Sequence, residues 1–262
     1  MSEQGIIFLM YHELGLPGRP LCRSDKSYSR YAVEENNFRS QMQWLQQTGW
    51  RGLNVGEALT SKPQVNDAQP SVVITFDDGC ATDLGTAVPI LKESGFNATF
   101  YITVGFLGQR GYLTSSQLRE LSALGFEVGC HSTTHAYLPD LDCDGLHREV
   151  AESKTQLEQI VGKPVEHFSC PGGRYNATVI QSARDAGYRS LATSQARGNT
   201  PRTDPFNLGR VAIHRRVGLP AFQDICQVQG FWKLQARAAL GNTAKGLLGD
   251  ALYDRVQSLL LR

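Results

Sequence analysis

Short apolar runs alternate along most of the chain with amphipathic segments, and this alternation restricts the fold more than any other feature. The order is typical of βα units, because each helix returns the chain to begin the next strand of a parallel sheet in the same direction. We predict strands at 6–11, 72–76, 98–103, 126–130, 166–170, 188–193 and 209–213. Helices are predicted at 35–48, 83–94, 115–124, 145–161 and 176–186.

The number of these units favours an α/β fold, a distorted (β/α)7-type barrel. A chain of 262 residues is long enough for one such domain with a substantial core. We therefore predict a single barrel over 1–230, followed by a C-terminal helical extension over 231–262. Apolar residues recur at helical spacing in the extension, flanked by Lys245, Arg255 and Arg262. Two interpretations stay open, a helix packed on the domain and an interfacial helix that oligomerises or makes peripheral contact with a membrane.

Composition narrows the partners and the compartment. The formal net charge of +1 gives no basic face of the kind that nucleic acid requires. No apolar run is long enough for a transmembrane segment. The amino terminus has neither a basic region nor a long apolar stretch, so no signal peptide is predicted. The six cysteines form no CxxC pair, which indicates reduced thiols, and we expect a cytoplasmic protein of unknown oligomeric state.

The motif Thr75-Phe76-Asp77-Asp78-Gly79 follows the apolar run 72–74 directly. Two adjacent carboxylates at the end of a buried strand repel each other and lose hydration, so a divalent cation is the simplest compensation. Because side chains alternate along a strand, one aspartate can bind the metal while the other faces a reacting water. A loop-capping Asp-Asp-Gly turn is the alternative for this motif taken alone.

A second motif, His131-Ser132-Thr133-Thr134-His135, follows the predicted strand 126–130. Histidines four residues apart point to one side of a helical turn and suit a shared metal ion, although two solvated histidines are the alternative. With Asp78 they make a set of two imidazoles and one carboxylate, which leaves positions for water and substrate. The set suits Zn²⁺ and also accepts Co²⁺, Ni²⁺ or Fe²⁺. Unlike HExxH, the motif carries no glutamate base, so Asp77 is the available neighbour.

TFDDG followed by HSTTH resembles the polysaccharide deacetylase family, the carbohydrate esterases with chitooligosaccharide deacetylase homology. The resemblance extends over residues 6–215, and the opening Met-Tyr-His-Glu resembles the exopolysaccharide-associated branch. It implies a distorted barrel and a metal-dependent hydrolase that removes N-acetyl groups from a sugar, oligosaccharide or polysaccharide. It also implies that Asp77 is the general base and that Asp78, His131 and His135 bind the metal.

The third family motif, Arg-x-Pro-x-Gly, is only partly present, as Ser169-Cys170-Pro171-Gly172-Gly173. The resemblance implies that Pro171, Gly172 and Gly173 line the substrate groove and that the Gly172 N–H stabilises the oxyanion.

Ser169 stands where the family arginine holds the base aspartate. Arg174 and Arg210 are the two candidates to replace that arginine.

Two further histidines follow predicted strands. The resemblance implies that His214 is the general acid, with a surface histidine beside Arg215 as the alternative. His12, after the first strand, either contacts substrate or makes a structural hydrogen bond. The fourth motif, an aspartate-tryptophan segment, is absent from 190–200.

Cys80, Cys130 and Cys170 lie beside the motifs, and we interpret them as apolar packing groups and not as ligands.

The expected partner is an N-acetylated carbohydrate. Two other functions stay open from the sequence. One is hydrolysis of another acyl bond, an O-acetyl ester or a cyclic amide, on the same scaffold. The other is a non-catalytic carbohydrate-binding protein, which the missing motif residues favour and the intact Asp77, Asp78, His131 and His135 oppose.

Overall fold

The computed structural model describes residues 5–60 and 69–227, so the predicted extension 231–262 lies outside the described residues. The strands of the described part are β1 Ile7–Tyr11, β2 Leu14–Gly15, β3 Val33–Glu34, β4 Arg51–Leu53, β5 Ser71–Asp78, β6 Thr99–Ile102, β7 Glu127–Cys130, β8 His167–Ser169, β9 Ser190–Ala192 and β10 Val211–Ala212. Its α-helices are α1 Lys26–Ser29, α2 Glu35–Gln47, α3 Val55–Thr60, α4 Val88–Ser94, α5 Ser115–Ala123, α6 Cys143–His147, α7 Ser153–Val161, α8 Ala177–Asp185 and α9 Leu219–Cys226.

The main sheet is parallel and has the order β10-β1-β5-β6-β7-β8-β9, with β4 also paired to β5. Leu208, shortly before β10, bridges back to Ala192 of β9, while Val211 and Ala212 pair with β1. The segment 208–212 therefore joins the two ends of the sheet, and the predicted distorted barrel is confirmed. The strands β2 and β3 form a separate parallel pair beside it.

One strand of the barrel, β4, was not predicted. It pairs with β5 over Ser71–Val73, and β6 pairs with the other half of β5 over Thr75–Asp78. The eight residues of β5 are long enough for two short partners to share one edge. Three residues carry too little pattern to be recognised as a strand.

The core divides into an outer and an inner layer. Between the sheet and the helices, Phe76 stacks on Phe100 with ring centroids 5.0 Å apart, and Phe38 of α2 meets the edge of Phe76 at 5.6 Å. Inside the ring of strands lies a smaller apolar cluster that includes Phe8 and Tyr101. Successive side chains of a strand alternate between these layers.

The predicted helix boundaries hold to within a few residues because the end signals are local. The segment 83–94 is helical throughout, with a π-helical turn at Asp83–Ala87 before α4, and it ends at Gly95 in the left-handed region. Thr114 and Gln117 form a reciprocal capping box at the start of α5. A second π-helical turn, Arg148–Glu152, joins α6 to α7.

We expect Phe100→Ala to destabilise the barrel by about 3–5 kcal/mol, the usual cost of removing a buried phenylalanine. Phe100 is fully buried and contacts both Phe76 and Phe126, so its loss leaves a cavity at the centre of the outer layer. Urea unfolding followed by circular dichroism measures the change. Leu124→Ala, at a side chain 40% exposed, is the matched control and should change stability by less than about 0.5 kcal/mol. A cost at Phe100 as small as that of the control would contradict this description of the core.

Candidate active site

The site lies where β5 and β7 end. Asp77 and Asp78 are the last residues of β5, and His131 follows β7 directly. Since β6 lies between these two parallel strands, both motifs emerge at the same edge of the barrel. All three side chains are buried, and His135 is partly buried.

The backbone is strained at this edge. Within the described ranges, positive φ angles outside glycine occur at Asp78, Ser132 and His135, at 82°, 65° and 62°. Such conformations cost of order 1–3 kcal/mol each and persist only where the surroundings enforce them. Their restriction to the two motifs marks this edge as the functional site.

The three predicted metal ligands are brought together. Asp78 Oδ1 lies 3.7 Å from His131 Nε2 and 3.6 Å from His135 Nε2, and the two imidazole rings are 5.0 Å apart. In the part of the chain that the structure describes, this buried carboxylate oxygen has no hydrogen-bond partner. An unpaired buried oxygen facing two imidazole nitrogens fits a divalent cation.

The orientation of His131 also suits a ligand. Its Nδ1 lies 2.8 Å from the carbonyl oxygen of Ser169, which can only accept, so Nδ1 carries the proton and Nε2 keeps its lone pair. Burial lowers the pKa of His131 to about 3 and also lowers the pKa of His135. Both rings are therefore neutral near pH 7, as metal binding requires.

Glu149, in the π-helical turn between α6 and α7, holds the histidine loop and was not predicted from the sequence. Its carboxylate accepts hydrogen bonds from the backbone N–H groups of Thr133 and Thr134, each at 2.8 Å, and from the Thr134 hydroxyl at 2.6 Å. Ser132 Oγ in turn accepts from the His135 N–H at 3.1 Å. These contacts fix the left-handed turn that points both imidazoles at Asp78.

Arg210, which precedes β10, takes the place of the missing motif arginine. Its guanidinium donates to both carboxylate oxygens of Asp77, at 2.7 and 2.8 Å, and is fully buried. It also donates to Ser169 Oγ at 2.7 Å, so the small serine leaves room for an arginine from another strand. Arg174, the other candidate, instead lies 3.8 Å above the ring of Tyr137.

The two aspartates differ in charge state because their surroundings differ. Burial alone would raise the pKa of Asp77, but the charges of Arg210 and then His131 hold it well below its usual range. Burial raises the pKa of Asp78 to about 6, and the neighbouring charge of Asp77 adds to the effect. Asp77 is therefore a stable carboxylate, whereas ionised Asp78 needs a compensating positive charge.

The third motif forms the turn Pro171–Gly173 after β8. Gly172 has a φ of 61°, and a Cβ there would lie 3.0 Å from the ring of Tyr137. The N–H groups of Gly173 and Arg174 donate to the carbonyls of Cys170 and Pro171. Pro171 has no N–H. Among the described residues of this turn, Gly172 is therefore the one whose backbone N–H is available to donate to a ligand.

His12 and His214 lie on either side of Tyr31, a residue that the sequence did not single out. The ring of Tyr31 is 4.7 Å from that of His12 and 4.8 Å from that of His214. Burial lowers the pKa of His12, and the charges of Asp78 and Asp77 oppose that effect, so this ring is close to the aspartates. Burial and then Arg30 lower the pKa of His214 to about 4.

We expect Arg210→Met to destabilise the protein by about 3–5 kcal/mol, because it leaves the buried Asp77 carboxylate without its partner. The double variant Asp77→Asn/Arg210→Met should recover much of this loss, since no unpaired charge then remains. Urea unfolding of the single and double variants gives the coupling energy, and strictly additive effects would contradict the assignment. Arg215→Met is the control, because the ion pair with Glu34 is exposed and worth less than about 1 kcal/mol.

The chain resembles known deacetylases in sequence and in fold. The family model described as polysaccharide deacetylase matches residues 64–191. YxkH of Bacillus subtilis strain 168, itself named only provisionally as a polysaccharide deacetylase, is 29% identical over 210 residues, covering 79% of this chain and 69% of YxkH. The poly-beta-1,6-N-acetyl-D-glucosamine N-deacetylase of Staphylococcus epidermidis is 25% identical over 208 residues, covering 74% of this chain and 72% of that enzyme.

A solved structure agrees with these relatives. IcaB from Ammonifex degensii has a TM-score of 0.71 at 25% identity, covering 85% of this chain and 97% of that one. None of the helices in the described ranges combines the length and apolar character needed to cross a membrane. The resemblance inferred from TFDDG and HSTTH is confirmed, because residues 64–191 match the polysaccharide deacetylase family model.

Proposed function

We propose that the protein is a metal-dependent N-deacetylase that hydrolyses the acetamido group of an N-acetylated oligosaccharide or polysaccharide, releasing acetate and leaving an amine. One observation carries the proposal. The carboxylate of Asp77, which Arg210 keeps ionised, lies beside the three donor side chains of Asp78, His131 and His135. The N-acetylglucosamine polymer named for the staphylococcal relative supports the substrate class.

Asp78, His131 and His135 would hold the metal, and zinc suits this combination, although cobalt, nickel and iron(II) also accept it. A bound ion of this kind polarises a carbonyl and lowers the pKa of water from 15.7 to about 7. The donor atoms lie within 4.8 Å of one another, and the partly exposed His135 leaves one side open to substrate.

Asp77 acts as the general base in this proposal. The bidentate contact with Arg210 fixes the carboxylate, and Ser169 Oγ also donates to Oδ2 at 3.4 Å. A carboxylate has about four lone-pair sites, so one remains to take a proton from the attacking water. Asp77 Oδ2 lies 3.8 Å from His131 Nε2, which places the base beside the metal ligands. Arg210 is a positioning residue, because it acts through Asp77.

The groove wall would supply the oxyanion donor. The Gly172 N–H is free to donate to the oxygen on which negative charge develops, and one such donor is worth about 3–4 kcal/mol of barrier. Pro171 and Gly173 hold the turn that presents this N–H group. Gly173 packs closely on Ser194 and has no room for a side chain, because a Cβ there would lie 2.5 Å from Ser194.

The general acid would be His214, with His12 contacting the substrate. Because the pKa of His214 is lowered to about 4, its ring is neutral near pH 7 and would take up the proton during the reaction before passing it to the departing nitrogen. Each ring has a buried Nδ1 without a hydrogen-bond partner in the described part of the chain, so no hydrogen bond there commits these nitrogens to a structural role.

We expect His214→Asn to lower kcat by about 10²–10⁴-fold, the usual contribution of a general acid, with unchanged metal content. His12→Asn should mainly raise KM. Steady-state kinetics on a short N-acetylglucosamine oligomer separates the two effects. If His12→Asn lowered kcat and His214→Asn left it unchanged, the two roles would have to be exchanged.

The central test compares the two aspartates. Asp77→Asn should retain the metal and lose nearly all turnover, because the carboxamide cannot take up a proton. Asp78→Ala should lose both metal and turnover. Acetate release from N-acetylglucosamine oligomers and metal analysis by mass spectrometry measure these outcomes, and Asp144→Asn, at an exposed carboxylate, is the control.

Full activity after exhaustive chelation would contradict the metal requirement. Turnover of acetylated xylan or of a cyclic amide, without turnover of the N-acetyl oligomers, would assign the site to another acyl bond. Binding of the oligomers by metal-loaded protein that releases no acetate would indicate a non-catalytic carbohydrate-binding protein.

A further inference from the structure

A second group of metal-ligating side chains lies beside the site. Glu13, Cys22 and Cys80 each offer one donor atom, and these atoms lie within 4.8 Å of one another. Glu13 follows β1, and Cys80 lies two residues beyond Asp78. Cys22 lies in the loop between β2 and α1. Glu13 and Cys80 are buried, whereas Cys22 is partly exposed and gives a path from solvent.

The three side chains are already organised around one point. Glu13 Oε2 accepts from the Cys22 N–H at 2.8 Å and from the Tyr28 hydroxyl at 3.1 Å. The same hydroxyl lies 3.2 Å from Cys80 Sγ. Cys80 therefore has a hydroxyl, a carboxylate and a second thiol as neighbours, in addition to the packing role predicted for it.

Asp83 supplies an independent observation. Its side chain is 0% exposed, and neither carboxylate oxygen has a hydrogen-bond partner among the described residues. Burial raises the pKa of the Asp83 carboxyl group well above its usual range, and the nearby Cys22 and Asp78 add to the effect. Its backbone N–H donates to the Cys80 carbonyl at 2.9 Å, so the residue borders the group. An unpaired buried carboxylate of this kind is rare and indicates a ligand.

The balance of buried charge also indicates a cation near these side chains. Glu13, Asp77, Asp78 and Asp83 are all buried, and Arg210 is the only buried lysine or arginine in the described ranges. Arg210 is already committed to Asp77.

The exposed Arg23 nearby is paired with Asp25 at 3.2 Å. A cation at the Asp78 site would leave Glu13 with hydrogen bonds from Cys22 and Tyr28 but without a cationic partner among the described residues, and burying such a carboxylate is costly.

We propose that Cys22, Cys80 and Glu13 bind a second divalent cation of the thiolate-preferring class, with zinc as the best match. Two sulfurs and one carboxylate supply three of the four ligands of a tetrahedral zinc shell, and the partly exposed side at Cys22 leaves the fourth position to water. On binding, the two thiols release their protons to solvent. The ion would link the loop between β2 and α1 to the residues that follow β5. This structural role does not depend on the deacetylase reaction.

Cobalt substitution tests the proposal, because thiolate ligands give Co²⁺ a charge-transfer absorption in the near ultraviolet that imidazole and carboxylate ligands do not. The full chain is purified with a non-thiol reductant, stripped of metal and titrated with Co²⁺. We expect two ions per chain and the thiolate band. Cys22→Ser/Cys80→Ser should lose the band and one ion, whereas His131→Ala/His135→Ala should lose one ion and keep the band.

Cys130→Ser is the matched control, because Cys130 is buried away from the group and donates to Ser153 Oγ at 3.2 Å. It should keep both ions and the band.

Absence of the band in fully loaded wild-type protein would overturn the proposal. So would a band that survives in Cys22→Ser/Cys80→Ser, or a Cys22–Cys80 disulfide in the reduced preparation. If the double variant does not fold, alkylation of Cys22 in wild-type protein decides, because bound metal must protect it. A protein with the band and no deacetylase activity would refute only the proposed function.

Discussion

The buried contact between Asp77 and Arg210 is the interaction on which the rest of the site depends. The arginine reaches from the segment that closes the barrel to the end of β5, and it also binds Ser169 at the end of β8 and the Thr193 carbonyl after β9. One guanidinium thus joins four parts of the ring of strands. Because an unpaired charge could not be buried there, the carboxylate and the closure of the barrel stabilise each other.

Around this pair, strained backbone conformations hold the donor side chains in a fixed geometry. Asp78 and His135 adopt left-handed backbone conformations that β-strands and helices do not use. The carboxylate of Glu149 offsets part of this cost by satisfying two amides of the histidine loop. Rigid support of this kind matters for a metal site, because small displacements of ligands weaken binding and catalysis.

Sequence reasoning predicted the motif contacts because they follow from sheet geometry. TFDDG ends β5 and HSTTH follows β7, and these parallel strands are separated only by β6, so the motif residues meet at one edge once the strands are recognised. Contacts made across long sequence separations could not be predicted in this way. Arg210 was one of two candidates, and Glu149 and Tyr31 were missed, because only the folded path brings them to the site. The three-residue β4 carries too little pattern to be recognised.

The position of Arg210 late in the chain affects the order in which the site can form during synthesis. An arginine at position 169 would anchor the base from a strand in the middle of the chain, whereas here the anchor is residue 210, near the end of the barrel. During synthesis, a chain that has left the ribosome only as far as β9 contains every proposed metal ligand of the motifs but not Arg210, the counterion of Asp77. The base cannot take its final charged position until the last strand arrives, so assembly of the catalytic edge is a late event in folding.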